Sequence, residues 1–263
     1  MEASIMKERI RYGDDDLQFG DLSYPTETTD ARDHLVVLVH GGFWRNPYRL
    51  DLMEPMTQML VDSGYLVWNI EYRAVGDVGG GYPGTLEDLW MAYRLILDQE
   101  LAEGFRFDRV TVVGHSAGGH LGLWLGSAHL LTGRSDLSHS LWELTKGAQP
   151  PVPDRVIGLA PVVDLEAAYE SGMGSGAVEN FLGASPASAP DRYAVAQPVL
   201  DSAWTFVIHG TNDDRVPLEH VEEAITGSEV SLSVIDGADH FDVIKPGTNA
   251  FDELVRLLEA PLV

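Results

Sequence analysis

A serine flanked by glycines, Gly114-His115-Ser116-Ala117-Gly118, is the only G-x-S-x-G in the chain. It follows the β-branched run Arg109–Gly114 and opens the helical pattern of "HLGLWLG". That strand–turn–helix setting is where a serine Oγ can be held exposed on a strained turn. Glycines suit the flanks, because a side chain at either position would crowd the turn. A hydroxyl is a poor nucleophile near neutral pH and needs a base, itself oriented by a carboxylate. Of nine histidines, His240 in "DGADHFDV" comes just after the last strand-like run. Between serine and histidine, "HGTNDDRVP" offers Asp213 and Asp214. Asp213 is preferred from its place in the motif, Asp214 has a ready alternative task as a helix cap ahead of Pro217, and Asp164 is a third choice.

A fourth motif, "HGGFW" (His40–Trp44), closes the first strong strand run. Adjacent glycines let backbone N–H groups approach a ligand, as an oxyanion hole requires. The expected donors are the amides of Gly42 or Phe43 together with that of Ala117. Phe43, Trp44 and Tyr82 fall in loops beside these motifs and could stack an aromatic leaving group. The glycine-rich run Val75–Gly84 lacks the G-K-[ST] ending of a phosphate loop, so it reads as a flexible loop near the substrate entrance. Neither "DGADHFD" nor "HGTNDD" has the i,i+4 histidine pair of a helical zinc site. No metal and no cofactor is expected.

The elements that must position these residues follow from hydrophobic period. "HLVVLV" (34–39) and "YLVWNIEY" (65–72) are continuous apolar runs, as strands buried on both faces should be. Arg109–Gly114, Arg155–Pro161, Trp204–Gly210 and Val230–Asp236 are four more. Helical spacing covers Leu50–Asp62, Thr85–Leu97, the stretch after Ser116, Leu218–Thr226 and Asn249–Glu259. This β-α alternation predicts an α/β fold, a mostly parallel central sheet with helices on both faces, and two short runs within 9–24 can add an antiparallel edge. Every chemical motif then lies at the C-terminal end of a strand, and in a parallel sheet those ends open on one edge. Residues 132–154 and 165–200, rich in Gly, Ser, Ala and Pro, interrupt the alternation as long surface connections or a partial cap. No linker divides the chain, so residues 1–263 are expected to form a single domain without a large cap.

Composition narrows the partners. The 263 residues carry 17 Lys plus Arg against 41 Asp plus Glu, a formal net charge of −24. Such an excess repels phosphates and argues against nucleic acid or an anionic membrane. Cysteine is absent, which excludes disulfides and thiolate chemistry. The opening "MEASIMKERIRYGDDD" has no apolar core of a secretory signal, so a cytoplasmic setting is the simpler expectation.

From about Val36 onward the chain resembles the α/β-hydrolase superfamily. Within it, "HGGFW", "GHSAGGHL" and "ADHFDVI" resemble the serine-dependent arylformamidases (kynurenine formamidases) and their carboxylesterase relatives. The resemblance implies an α/β-hydrolase fold, Ser116 as nucleophile, His240 as base, and the amides of Gly42, Phe43 and Ala117 as the hole. "HGTNDDRVP" departs from that subgroup and looks more like the prolyl-oligopeptidase-type hydrolases, where the first Asp of the pair is the acid; this favours Asp213. The activity expected is hydrolysis of a small or medium carboxylic ester or activated amide through an acyl-enzyme. An aryl formamide such as N-formylkynurenine is the alternative substrate, and a catalytically silent ligand-binding protein is the non-enzyme alternative.

Overall fold

The computed structural model describes residues 5–26, 33–98, 107–131, 152–200 and 204–262. Eight strands form one sheet: β1 Ile5–Arg11, β2 Phe19–Pro25, β3 His34–Val39, β4 Leu66–Ile70, β5 Arg109–His115, β6 Arg155–Leu159, β7 Thr205–Gly210 and β8 Ser231–Ile235. Their spatial order is β1-β2-β4-β3-β5-β6-β7-β8. The first two strands pair antiparallel with each other, and β2 pairs antiparallel with β4. All later pairings are parallel. The α/β-hydrolase fold and the antiparallel edge are therefore both present.

Alternation along β3 explains why the sheet is covered on both sides. Leu35, Val37 and Val39 point into one core with Trp68, Leu89, Leu121 and Trp124. Val36 and Leu38 point into the other with Met56, Leu60, Ile157, Phe251 and Leu254. A strand with successive side chains in two cores has no polar face to show, which is why its sequence is continuously apolar.

The helices among the described residues are α1 Glu54–Asp62, α2 Gly84–Asp98, α3 Ala117–Leu131, α4 Leu165–Glu170, α5 Met173–Leu182, α6 Pro190–Ala196, α7 Leu218–Ile225 and α8 Asn249–Glu259. The helix expected from Leu50 begins instead as a 3-10 turn, Leu50–Met53, and becomes α1 only at Glu54. Pro55 has no N–H to bond the carbonyl four residues back, at Asp51, so the α-helical ladder cannot start earlier, while the Leu50 amide donates to the buried Glu71 carboxylate at 3.1 Å. No helix of the described residues is long and apolar enough to cross a membrane.

Residues 165–200 hold three helices, α4 to α6, rather than irregular connections. Asp164 caps α4 by accepting the Ala167 amide at 3.0 Å. Gln197 accepts from the Leu165 amide and donates to the Val163 carbonyl. His120 and Trp124 on α3 donate to the carbonyls of Ala196 and Val195, both at the end of α6. The other expected interruption, 132–154, falls almost wholly outside the described residues.

Candidate active site

The elbow is built by close backbone packing. Ser116 ends the turn between β5 and α3 at φ 56°, in the left-handed region that a non-glycine residue enters only under strain. Its amide donates to the Leu159 carbonyl at 2.8 Å, anchoring the turn to β6. A Cβ on Gly114 would lie 2.0 Å from the Gly118 carbonyl oxygen, and one on Gly118 would lie 2.2 Å from that of Val39. Both glycines are thus required by the approach of backbone to backbone.

The "HGGFW" turn closes on the same point. A Cβ on Gly41 would fall 3.0 Å from the Ser116 Cβ. Gly42, Phe43 and Trp44 all have positive φ, at 113°, 52° and 56°. For two bulky residues this is uncommon and costs on the order of 1 kcal/mol or more each, so surrounding contacts must hold it. They do. His40 Nε2 faces Glu71 Oε1 at 3.1 Å, the Tyr72 hydroxyl donates to the His40 carbonyl at 2.8 Å, and the two rings stack with centroids 4.2 Å apart. The Val75 amide donates to the Trp44 carbonyl. Among the described residues, the amides of Gly42, Phe43 and Ala117 donate to no protein acceptor.

The expected acid and base meet. His240 Nδ1 lies 2.7 Å from Asp213 Oδ2, with both side chains almost completely buried. Asp213 Oδ1 accepts the amides of Arg215 and Val216 at 2.8 and 2.9 Å. Burial by itself would raise the Asp213 carboxyl, but its hydrogen bond to His240, that ring's charge and the two amides outweigh it, and the group is held below the usual carboxylate range. Asp214 is exposed and pairs with Arg215 at 3.3 Å. It does not cap α7, whose first turn has no side-chain cap. Asp164 is committed to capping α4, and the carboxylate that meets His240 is that of Asp213.

Of the aromatics named from sequence, Phe43 is half-buried against Gly174. Trp44 is fully buried, stacked on Phe181 at 4.8 Å and edge-on to His120, so its ring supports the turn from inside. Tyr82 is half-buried, its amide donating to the Phe181 carbonyl and its ring 5.7 Å from the Arg192 guanidinium carbon. The loop Val75–Gly84 was expected to be flexible, yet Asp77 pins it through two bonds from Arg49 and one from the Ala74 amide. Sequence reasoning missed Glu71 and Tyr72, which brace the "HGGFW" turn, and His115 and Phe241. Phe241 is 48% exposed and packs edge-on against His240 at 5.2 Å. The "DHF" motif contained that signal; nothing local marked Glu71.

Several known proteins resemble this chain in sequence or in fold. Kynurenine formamidase of Drosophila melanogaster is 26% identical over 254 residues, covering 92% of this chain and 76% of that protein. A non-reducing polyketide synthase of Aspergillus novofumigatus is 29% identical over 139 residues, 49% of this chain but only 6% of that much longer protein. Esterase B from Lactobacillus Rhamnosis superimposes with a TM-score of 0.76 at 20% identity, covering 98% of this chain and 85% of that one, a likeness of fold. The family model described as BD-FAE matches residues 21–226. With that match over most of its length, the chain belongs to the BD-FAE family, of α/β-hydrolase type.

Proposed function

We propose that this chain is a serine hydrolase that cleaves a small or medium carboxylic ester, or an activated amide, through an acyl-enzyme. The observation that carries this reading is the 2.7 Å bond between His240 and Asp213, with Ser116 on a left-handed elbow whose preceding residue, His115, bonds to the His240 carbonyl. His240 removes the Ser116 proton during attack and later activates water, while Asp213 holds the imidazole tautomer and stabilises the imidazolium. The amides of Gly42, Phe43 and Ala117 face the developing oxyanion, where one such donor is typically worth about 3 kcal/mol in the barrier. The scheme uses no cofactor. Residues 1–263 act as one hydrolase domain, and α4 to α6 form a partial cap. The contact of Phe43 with Gly174 and the Trp44–Phe181 stack support that cap's place beside the oxyanion turn.

An aryl formamide is the second substrate reading, favoured by the likeness to a kynurenine formamidase over 92% of the chain. The test compares kcat/KM for a short-chain p-nitrophenyl ester with that for N-formylkynurenine, with Ser116→Ala as blank. An ester preference of several orders of magnitude assigns a carboxylesterase. A formamide preference assigns the second reading. Activity on neither, with no reaction at Ser116, would leave a ligand-binding member of the fold.

A further inference from the structure

His115 precedes Ser116 and has no part in the bond-making described above, yet its ring touches both other motifs. Nε2 faces the His240 backbone carbonyl at 2.9 Å. A carbonyl only accepts, so Nε2 carries the proton and donates. The ring centroid lies 4.7 Å from that of His240 and 5.8 Å from that of Phe241. The oxyanion turn closes on it too, since a Cβ on Gly41 would fall 3.0 Å from His115 Nδ1. That Nδ1 is buried and has no partner among the described residues. Leaving a buried acceptor unpaired is costly, and an apolar ring filling the same space would avoid that cost.

The remaining hydrogen bonds of residues 238–242 run, among the described residues, to near neighbours in sequence or to the segment after β7. The His115 N–H is thus the bond that ties this loop to the elbow. We propose that His115 is a positioning residue, whose Nε2–H holds the His240 backbone at a fixed distance from Ser116. This rests on the reading of Ser116 and His240 as nucleophile and base. Burial, with a smaller effect of the His240 charge, pushes the His115 imidazole down to about 3. It therefore stays neutral through turnover, competes for no proton and places no charge beside the imidazolium that His240 becomes.

The experiment compares His115→Phe, which keeps a ring without the donor, with His115→Gln, whose amide can donate to the same carbonyl. Both are assayed on a p-nitrophenyl ester, with active sites counted by a fluorophosphonate and thermal unfolding recorded alongside. Misplacing a base by a fraction of an ångström should lower kcat of His115→Phe about 30-fold, with KM within about twofold. His115→Gln should recover to within about fivefold of wild type. Should the Phe variant not fold, His115→Asn, whose shorter amide falls short of the carbonyl, takes its place. A lower Tm with unchanged kcat per titrated site would overturn the positioning role, as would a Gln variant no better than Phe. Wild-type protein that neither hydrolyses the ester nor takes the label would instead refute the underlying hydrolase reading.

Discussion

Replacing Asp213 by asparagine changes one atom and should nearly abolish turnover. Oδ1 accepts two backbone amides, while Oδ2 faces His240 Nδ1 at 2.7 Å. Two donors at the first position keep the asparagine oxygen there, so its NH2 must take the place of Oδ2 and point at Nδ1. Nδ1 then has to accept, the ring proton moves to Nε2, and the nitrogen meant to take the serine proton has no free lone pair. A wrong tautomer in such a site lowers kcat by about 10⁴, or about 5.5 kcal/mol in the barrier. The fold should hardly notice, because both backbone bonds survive. Asp214→Asn alters a side chain 79% exposed beside Arg215, and an exposed pair of that kind matters little; its kcat should stay within about twofold of wild type. The assay is kcat on p-nitrophenyl acetate, with Tm as the control for folding. An Asp213→Asn protein that keeps more than a tenth of wild-type kcat, or an Asp214→Asn protein that falls below a tenth, would show that Asp213 does not set the His240 tautomer.

Other perturbations probe the scaffold. Gly118→Ala would put a methyl 2.2 Å from the Val39 carbonyl oxygen and 2.3 Å from that of His40, both backbone atoms. The end of β3 must move, so denaturant titration should record a loss of about 2 kcal/mol, with a fall in ester hydrolysis. Asp88 is wholly buried and accepts from the Arg73 guanidinium at 2.6 and 2.8 Å and from Gln18 at 2.7 Å. Asp88→Asn leaves that guanidinium without its counter-charge and should cost about 3 kcal/mol by the same titration; an unchanged midpoint would contradict this. Burial lowers the His120 imidazole to about 4, against about 6.5 in an unfolded chain. Below pH 6.5 the unfolded chain binds a proton there that the folded one refuses, so stability falls as pH drops toward 4. Relative to His120→Gln, wild type should therefore lose about 1.4 kcal/mol between pH 7.5 and 5.5. Parallel stability curves for the two proteins would rule this out.

The parts legible in sequence are those where backbone geometry restricts residue type. Gly114 and Gly118 are glycine because a Cβ would strike a carbonyl oxygen, so a local motif reports a three-dimensional constraint. The strands were legible because burial in two cores leaves β3 and β4 apolar apart from His34 and Asn69. Asp213 and His240, 27 residues apart, could be paired because strand order brings the ends of β7 and β8 together. What escaped depends on partners distant in sequence. The Arg49–Asp77 pair that pins the Val75–Gly84 loop joins residues 28 apart, and composition there reads only as glycine-rich. Helices α4 to α6 are too short for a helical period to show in sequence, although Leu165, Ala168, Val178, Phe181 and Tyr193 reach the core, and His120, Trp124 and Gln197 fix their ends from elsewhere in the chain. Trp44 reads from sequence as a loop aromatic able to stack a leaving group, but the left-handed turn drives its ring inward onto Phe181.

Whether Ser116 is the nucleophile is decided by treating the protein with a fluorophosphonate and mapping the adduct by mass spectrometry. One covalent adduct per chain is expected, on Ser116, and none on the Ser116→Ala variant. An unmodified wild-type chain, or an adduct on any other residue, would contradict it.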